Sequence, residues 1–116
     1  MRHKMKKVTL DRKAAPRKAL LSGLAVSLIL YDKIITTKAK AQVTRSVVEK
    51  MVTKAKKNTL VSRRELFGAL HSKNAVKKLM EVIGPRYATR KGGFTRVVSL
   101  NNRKGDGAQE ALVEFV

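Results

Sequence analysis

A chain of 116 residues has room for one hydrophobic core, and its 27 Lys and Arg against 8 Asp and Glu leave a formal net charge of +19, which calls for an anionic partner. A hydrophobic share of 43% separates it from a disordered basic tail, and an aromatic share of 4% leaves most packing to aliphatic side chains. The absence of Cys excludes a disulfide scaffold, a thiolate zinc site and a Cys nucleophile, and two His are too few for a His-rich metal site.

Met1 to Lys18 carries eight Lys or Arg against Asp11 alone, and it lacks the apolar core and cleavage site of a secretory signal. Asp11 can cap a short turn, and Pro16 fits the first turn of the helix that follows, where a missing N–H is harmless. That helix is expected to run to about Tyr31 as the central core helix, with Leu20, Leu24 and Leu28 on one stripe and Leu21, Ala25 and Ile29 beside it. Gly23 costs about 1 kcal/mol relative to Ala inside a helix, which points to a close backbone approach there. The apolar stretch Ala19 to Tyr31 is 13 residues long and interrupted by Ser22, Gly23 and Ser27. It falls short of the roughly 20 residues that a membrane span needs.

Lys33-Ile34-Ile35-Thr36-Thr37 is short and β-branched, and it reads as a strand. A second helix follows, with Thr37 as its cap, an apolar stripe at Ala39, Val43, Val47, Met51 and Ala55, and Val48 and Val52 flanking it. Ser62 and Glu65 stand at capping-box spacing before a helix whose apolar face is Leu66, Phe67 and Leu70. A further helical piece from about Asn74 presents Ala75, Val76, Leu79, Met80 and Ile83 and is expected to stop at Gly84-Pro85. Phe94 to Leu100 reads as a strand, Asn101 to Gly107 as a turn-rich loop, and Ala111 to Val116 as a strand returning antiparallel. The order α-β-α-α-α-β-β predicts an α+β, two-layer fold, with about four helices on one face of a small three-stranded mixed sheet. It is read as a single domain over 1–116 with a basic N-terminal segment at 1–13.

Nothing in the sequence supports catalysis. The carboxylates are scattered, no nucleophile has an obvious base, and Gly92-Gly93 matches neither a Walker loop nor a dinucleotide fingerprint. The chain is therefore read as a non-enzyme without cofactor, metal or small-molecule substrate. The positive signal is basic: six cations and no acid lie between Arg86 and Lys104, interleaved with Tyr87 and Phe94. Arginine grips phosphate bidentately and stacks on bases, and Gly92-Gly93 leaves backbone N–H groups open to a phosphate. The two aromatics are read as core first and as stacking platforms second. His71, near a helix end, is read as a surface or capping residue.

The opening Met1-Arg2-His3, Ile34-Ile35-Thr36-Thr37 with Ala39-Lys40, Gly84-Pro85-Arg86-Tyr87-Ala88, Arg90, Gly92-Gly93-Phe94-Thr95-Arg96, Arg103, Gly105-Asp106 and Glu114 stand in one order along nearly the whole chain. Together they resemble the bacterial large-subunit ribosomal protein seventeen family. The sequence departs from that pattern at Asp11, at Ala14-Ala15-Pro16-Arg17 and at Leu21-Ser22-Gly23-Leu24. The resemblance implies a two-layer α/β fold and a structural role in the cytoplasmic large ribosomal subunit, supporting assembly and translation. It also implies contacts to large-subunit ribosomal RNA and to neighbouring ribosomal proteins near the exit-tunnel side.

The candidate RNA-binding residues begin with Arg2, His3, Lys4, Lys6, Lys7, Arg12, Lys13, Arg17 and Lys18 in the N-terminal segment, His3 only through what the resemblance implies. Lys38, Lys40 and Arg45 follow in the second helix, and Arg63 and Arg64 in the third. Arg86, Arg90, Lys91, Arg96, Arg103 and Lys104 complete the set. Cations on so many elements fit folded RNA touching several sides better than one duplex groove read by one helix. The competing reading is an architectural duplex-DNA-binding protein, but no dimer seam or apolar wedge is visible. A peripheral membrane role is disfavoured because the most apolar helix lacks a basic face.

Overall fold

The computed structural model describes residues 3 and 8–116. In chain order it contains α1 (Ala14–Tyr31), β1 (Lys33–Thr37), α2 (Lys38–Lys56), α3 (Leu60–Leu70) and α4 (Lys73–Lys78). A π-helical turn (Leu79–Ile83) continues α4 into α5 (Gly84–Arg86), and β2 (Thr95–Asn102) and β3 (Gln109–Phe115) close the chain. The β-branched run becomes β1 with the expected limits.

The sheet order is β1-β3-β2, and both pairings are antiparallel, so the expected mixed sheet is corrected to a wholly antiparallel one. The last strand inserts between the other two, so β1 and β2 never become neighbours. Ile34 and Val97 lie opposite Val113 from either side and, with the buried Ala111, form the face turned to the helices. Ile35 and Val98 flank Leu112 on the outer face, where Ile35 is 61% exposed.

The central helix is α2, not α1: α2 packs against α1, α3, the π-helical turn, α5 and all three strands. Its buried stripe is Ala41, Thr44, Val48, Met51, Val52 and Ala55, rotated from the expected one, while Ala39 is exposed. A polar Thr44 is accommodated inside because its Oγ1 donates to the Lys40 carbonyl at 2.7 Å, leaving no unpaired hydroxyl. In α1 only Ala25, Leu28 and Ile29 are buried, and its N-terminal half is half-covered or open. Although α1 has the length and apolarity of a short membrane span, it packs on α2, α3, α4 and β1, and Ser22 Oγ donates to the Ala69 carbonyl at 3.0 Å.

Three local expectations are corrected. Helix α3 is capped by Thr59, whose Oγ1 accepts the Ser62 N–H at 3.1 Å; Ser62 is already inside the helix. Gly84-Pro85 does not end the helical run. Pro85 has no N–H to donate, and the π-helical turn before it, where the Gly84 N–H reaches back to the Leu79 carbonyl, opens the hydrogen-bond ladder to accept it. The close backbone approach lies at Gly84, where a Cβ would meet the Ala55 carbonyl oxygen at 3.3 Å, and not at Gly23, where it would meet nothing within 4 Å.

The C-terminal part of the core is aromatic. Tyr87 and Phe94 are buried with ring centroids 5.2 Å apart, Phe115 stands 6.3 Å from Tyr87, and the Tyr87 hydroxyl donates to the Val116 carbonyl at 2.6 Å. Their core reading holds.

Candidate nucleic-acid interface

Arg2, Lys4, Lys6 and Lys7 lie outside the described residues, and His3 is exposed. Leu10 and Asp11, both at positive φ, turn the chain toward α1, and the Arg12 N–H donates to the Thr9 carbonyl at 3.1 Å. The Arg12 guanidinium donates to the Leu10 carbonyl at 2.8 Å, and the Arg17 guanidinium donates to the Arg12 carbonyl at 3.3 Å. Each bond uses one of a guanidinium's five donors, so both arginines are oriented with most donors still free. Lys13, the N-cap residue of α1, and Lys18 are exposed.

Lys38 and Lys40 occupy the first turn of α2, which contains no acidic residue, as do the first turns of α1, α3 and α4. Cations there oppose the helix macrodipole, and neither Lys38 nor Lys40 is in an ion pair among the described residues. Arg45 differs: its Nε lies 3.7 Å from Glu49 Oε1, an oxygen that also accepts from Thr95 Oγ1 at 3.1 Å.

Arg63 and Arg64 come together with Lys73 and Lys77 of α4 around an open pocket that also contains Phe67, Val76 and Glu81. Both lysines are absent from the candidates that the sequence singles out. The signal that would have found them is Lys73 and Lys77 at (i, i+4) on a six-residue helix whose buried residues are Ala75 and Val76. Phe67 is 44% exposed, which corrects its assignment to the apolar face. Helix α3 rests on Leu66 and Leu70, and Phe67 falls on the neighbouring, basic side.

Around Gly92-Gly93 the arginines divide into two groups. Arg86 stands 5.9 Å from the Tyr87 ring centroid, and the Arg90 carbonyl accepts from Lys56 Nζ, which itself lies 5.2 Å from the Phe94 ring centroid. Arg86, Arg90 and Lys91 are exposed and in no ion pair among the described residues. Gly93, at φ +64°, makes the turn into Phe94. Arg96 and Arg103 do not fit the expectation of unpartnered cations. The register places Arg96 opposite Glu114, with Nε 2.6 Å from Oε1, and Arg103 Nε donates to Asp106 Oδ1 at 3.1 Å. That hydrogen bond, reinforced by the Ala108 N–H, holds the Asp106 carboxyl well below the usual carboxylate range and raises Arg103. Lys104 is exposed at the hairpin tip. His71 is the C-cap of α3, at φ 55° with its N–H on the Phe67 carbonyl at 2.8 Å.

A family model described as Ribosomal protein L17 matches residues 20–116. A protein named large ribosomal subunit protein bL17 from Solibacter usitatus is 47% identical over 116 residues, all of this chain and 77% of the relative. Its namesake from Chlorobaculum tepidum is 50% identical over 107 residues, 92% of this chain and 68% of the relative. That of Hydrogenobaculum sp. is 46% identical over 117 residues, covering 100% of this chain and 99% of the relative. The matched region contains α3, α4 and the Gly92-Gly93 loop with their exposed cations, and the chain belongs to the ribosomal protein L17 family.

Proposed function

We propose that the protein is a non-catalytic structural constituent of the large ribosomal subunit in the bacterial cytoplasm, and that it binds ribosomal RNA by neutralising phosphates and matching the shape of the folded RNA. The observation that carries this is the set of exposed cations with no ion-pair partner among the described residues, on the N-terminal turn, α3, α4 and the loop before β2. Cations left unpaired on several elements repel one another in the free protein, and they gain when they replace the counterions that screen RNA. Neighbouring ribosomal proteins near the exit-tunnel side complete the reading. The aliphatic row Ile35, Leu112 and Val98, exposed at Ile35 and Val98 and half-buried at Leu112, offers no phosphate chemistry and suits a protein neighbour.

Binding of the protein to large-subunit ribosomal RNA, measured from 50 to 200 mM salt, tests the mechanism. Neutralising about 6 to 10 phosphates costs on the order of a thousandfold or more in affinity across that range, borrowing the duplex-DNA relation. Salt-insensitive binding, or equal affinity for duplex DNA, defeats the proposal.

A further inference from the structure

We propose that the pocket between α3 and α4 is a base-binding site, in which an unpaired nucleotide of structured RNA stacks on Phe67 while Arg63, Arg64, Lys73 and Lys77 hold the flanking phosphates. The inference rests on the RNA-binding reading and adds a site that the phosphate contacts alone do not require. An aromatic ring 44% exposed on a 116-residue chain with so few aromatics is a cost without a partner. Here the ring sits among four cations, none of them in an ion pair among the described residues.

The folding of the segment explains the arrangement. Arg63 and Phe67 are spaced (i, i+4) on α3, Lys73 and Lys77 are spaced (i, i+4) on α4, and the tight turn at His71, capped from Ser72, sets the two faces beside each other. Val76, 3% exposed, supplies an apolar floor. The cavity measures about 570 Å³, inside the roughly 300–1,000 Å³ range of ligand pockets. A flat apolar face ringed by cations matches a nucleotide, which brings a π surface and a phosphate on each side. A purely aliphatic protein side chain would leave the cations unanswered. Glu81, the one carboxylate lining the pocket among the described residues, is placed to accept from a base amino group.

The probes are two RNA hairpins of the same stem, one fully paired and one carrying a single bulged 2-aminopurine. The full-length protein should bind the bulged hairpin more tightly and change the 2-aminopurine fluorescence. Phe67→Ala should lose about 5- to 150-fold on the bulged hairpin and keep its affinity for the paired one. Phe67→Trp should retain the preference, which separates stacking from a folding defect, and circular dichroism checks the helices of each variant. Equal wild-type affinity for the two hairpins overturns the pocket while leaving phosphate binding standing, and so does a preference that survives Phe67→Ala. Wild-type binding to neither hairpin overturns the RNA reading itself. In assembled subunits, a photoreactive benzoylphenylalanine at position 67 should crosslink to ribosomal RNA; a crosslink to a protein overturns the nucleotide as occupant.

Discussion

Replacing Arg86 and Arg90 together with Gln should change the salt dependence of RNA binding far more than replacing Arg96 and Arg103, although both changes remove two arginines. The first pair is exposed and free of carboxylates, so each residue can take up a phosphate and release about 0.7–0.9 of a counterion. Losing both should flatten the slope of log K against log salt by about 1.4–1.8, a difference of about 7- to 12-fold in affinity loss between 50 and 200 mM salt. Arg96 and Arg103 are already matched by Glu114 and Asp106. A phosphate approaching either arginine meets a carboxylate as well, so the net counterion release is small and the slope should barely move. Fluorescence anisotropy of a labelled large-subunit ribosomal RNA fragment, titrated at five or six salt concentrations, reads the slopes directly. Circular dichroism of each double variant guards against a lost fold. Equal flattening by the two double variants would refute the division of the arginines into free and engaged groups.

The glycines at 23 and 84 should respond to Ala with opposite signs in urea denaturation. Gly23→Ala gains about 1 kcal/mol of helix propensity in open space. Gly84→Ala brings a Cβ within 3.2 Å of the Leu79 carbonyl oxygen and 3.3 Å of that of Ala55, an overpacking cost of about 1–3 kcal/mol that outweighs the propensity gain. Lys78 Nζ donates to the Leu30 carbonyl at 3.0 Å and to Asp32 Oδ1 at 3.2 Å, fastening α4 to the end of α1. Lys78→Met should therefore cost about 1 kcal/mol, with Lys50→Met as the charge-matched control at an exposed lysine in no ion pair among the described residues; equal thermal midpoints would remove that role. Asp106 is depressed in the folded protein, so its contribution to the hairpin tip is complete above the unfolded carboxylate value of about 3.9 and is lost only as pH falls through the lower folded value. A carboxyl NMR titration of Asp106 with a midpoint near the unfolded value would contradict the Arg103 pairing.

What the sequence made legible was local, and what it hid depended on register. The β-branched run Lys33 to Thr37 dictates its own strand, and the cation-free, apolar sides of α2, α3 and α4 announce helices. That β3 would lie between β1 and β2, and so bring Glu114 opposite both Lys33 and Arg96, depends on pairing across 18 residues and more. The buried stripe of α2 was displaced because a threonine can be buried once its hydroxyl is satisfied by its own helix, a possibility that counting apolar residues does not weigh. Phe67 was misplaced for the converse reason: an aromatic residue at helical spacing reads as core until the neighbouring helix shows which side is covered.

The same logic sharpens the meaning of the charge. Five carboxylates pair with Arg45, Lys54, Lys78, Arg96 and Arg103, and pairing cannot alter a net charge of +19. It fixes where the surplus sits. The paired acids lie on α2, α3, the end of α1 and the hairpin, and among the described residues unanswered cations gather on the N-terminal turn, around Phe67 and before Gly92-Gly93, with others on α2 and at Lys104. If the surplus served only solubility, acids and bases could be interspersed anywhere on the surface. Clustering of this kind costs self-repulsion in the free chain, and the proposed partner, folded RNA, would recover that cost at several places at once, where a single small ligand would not.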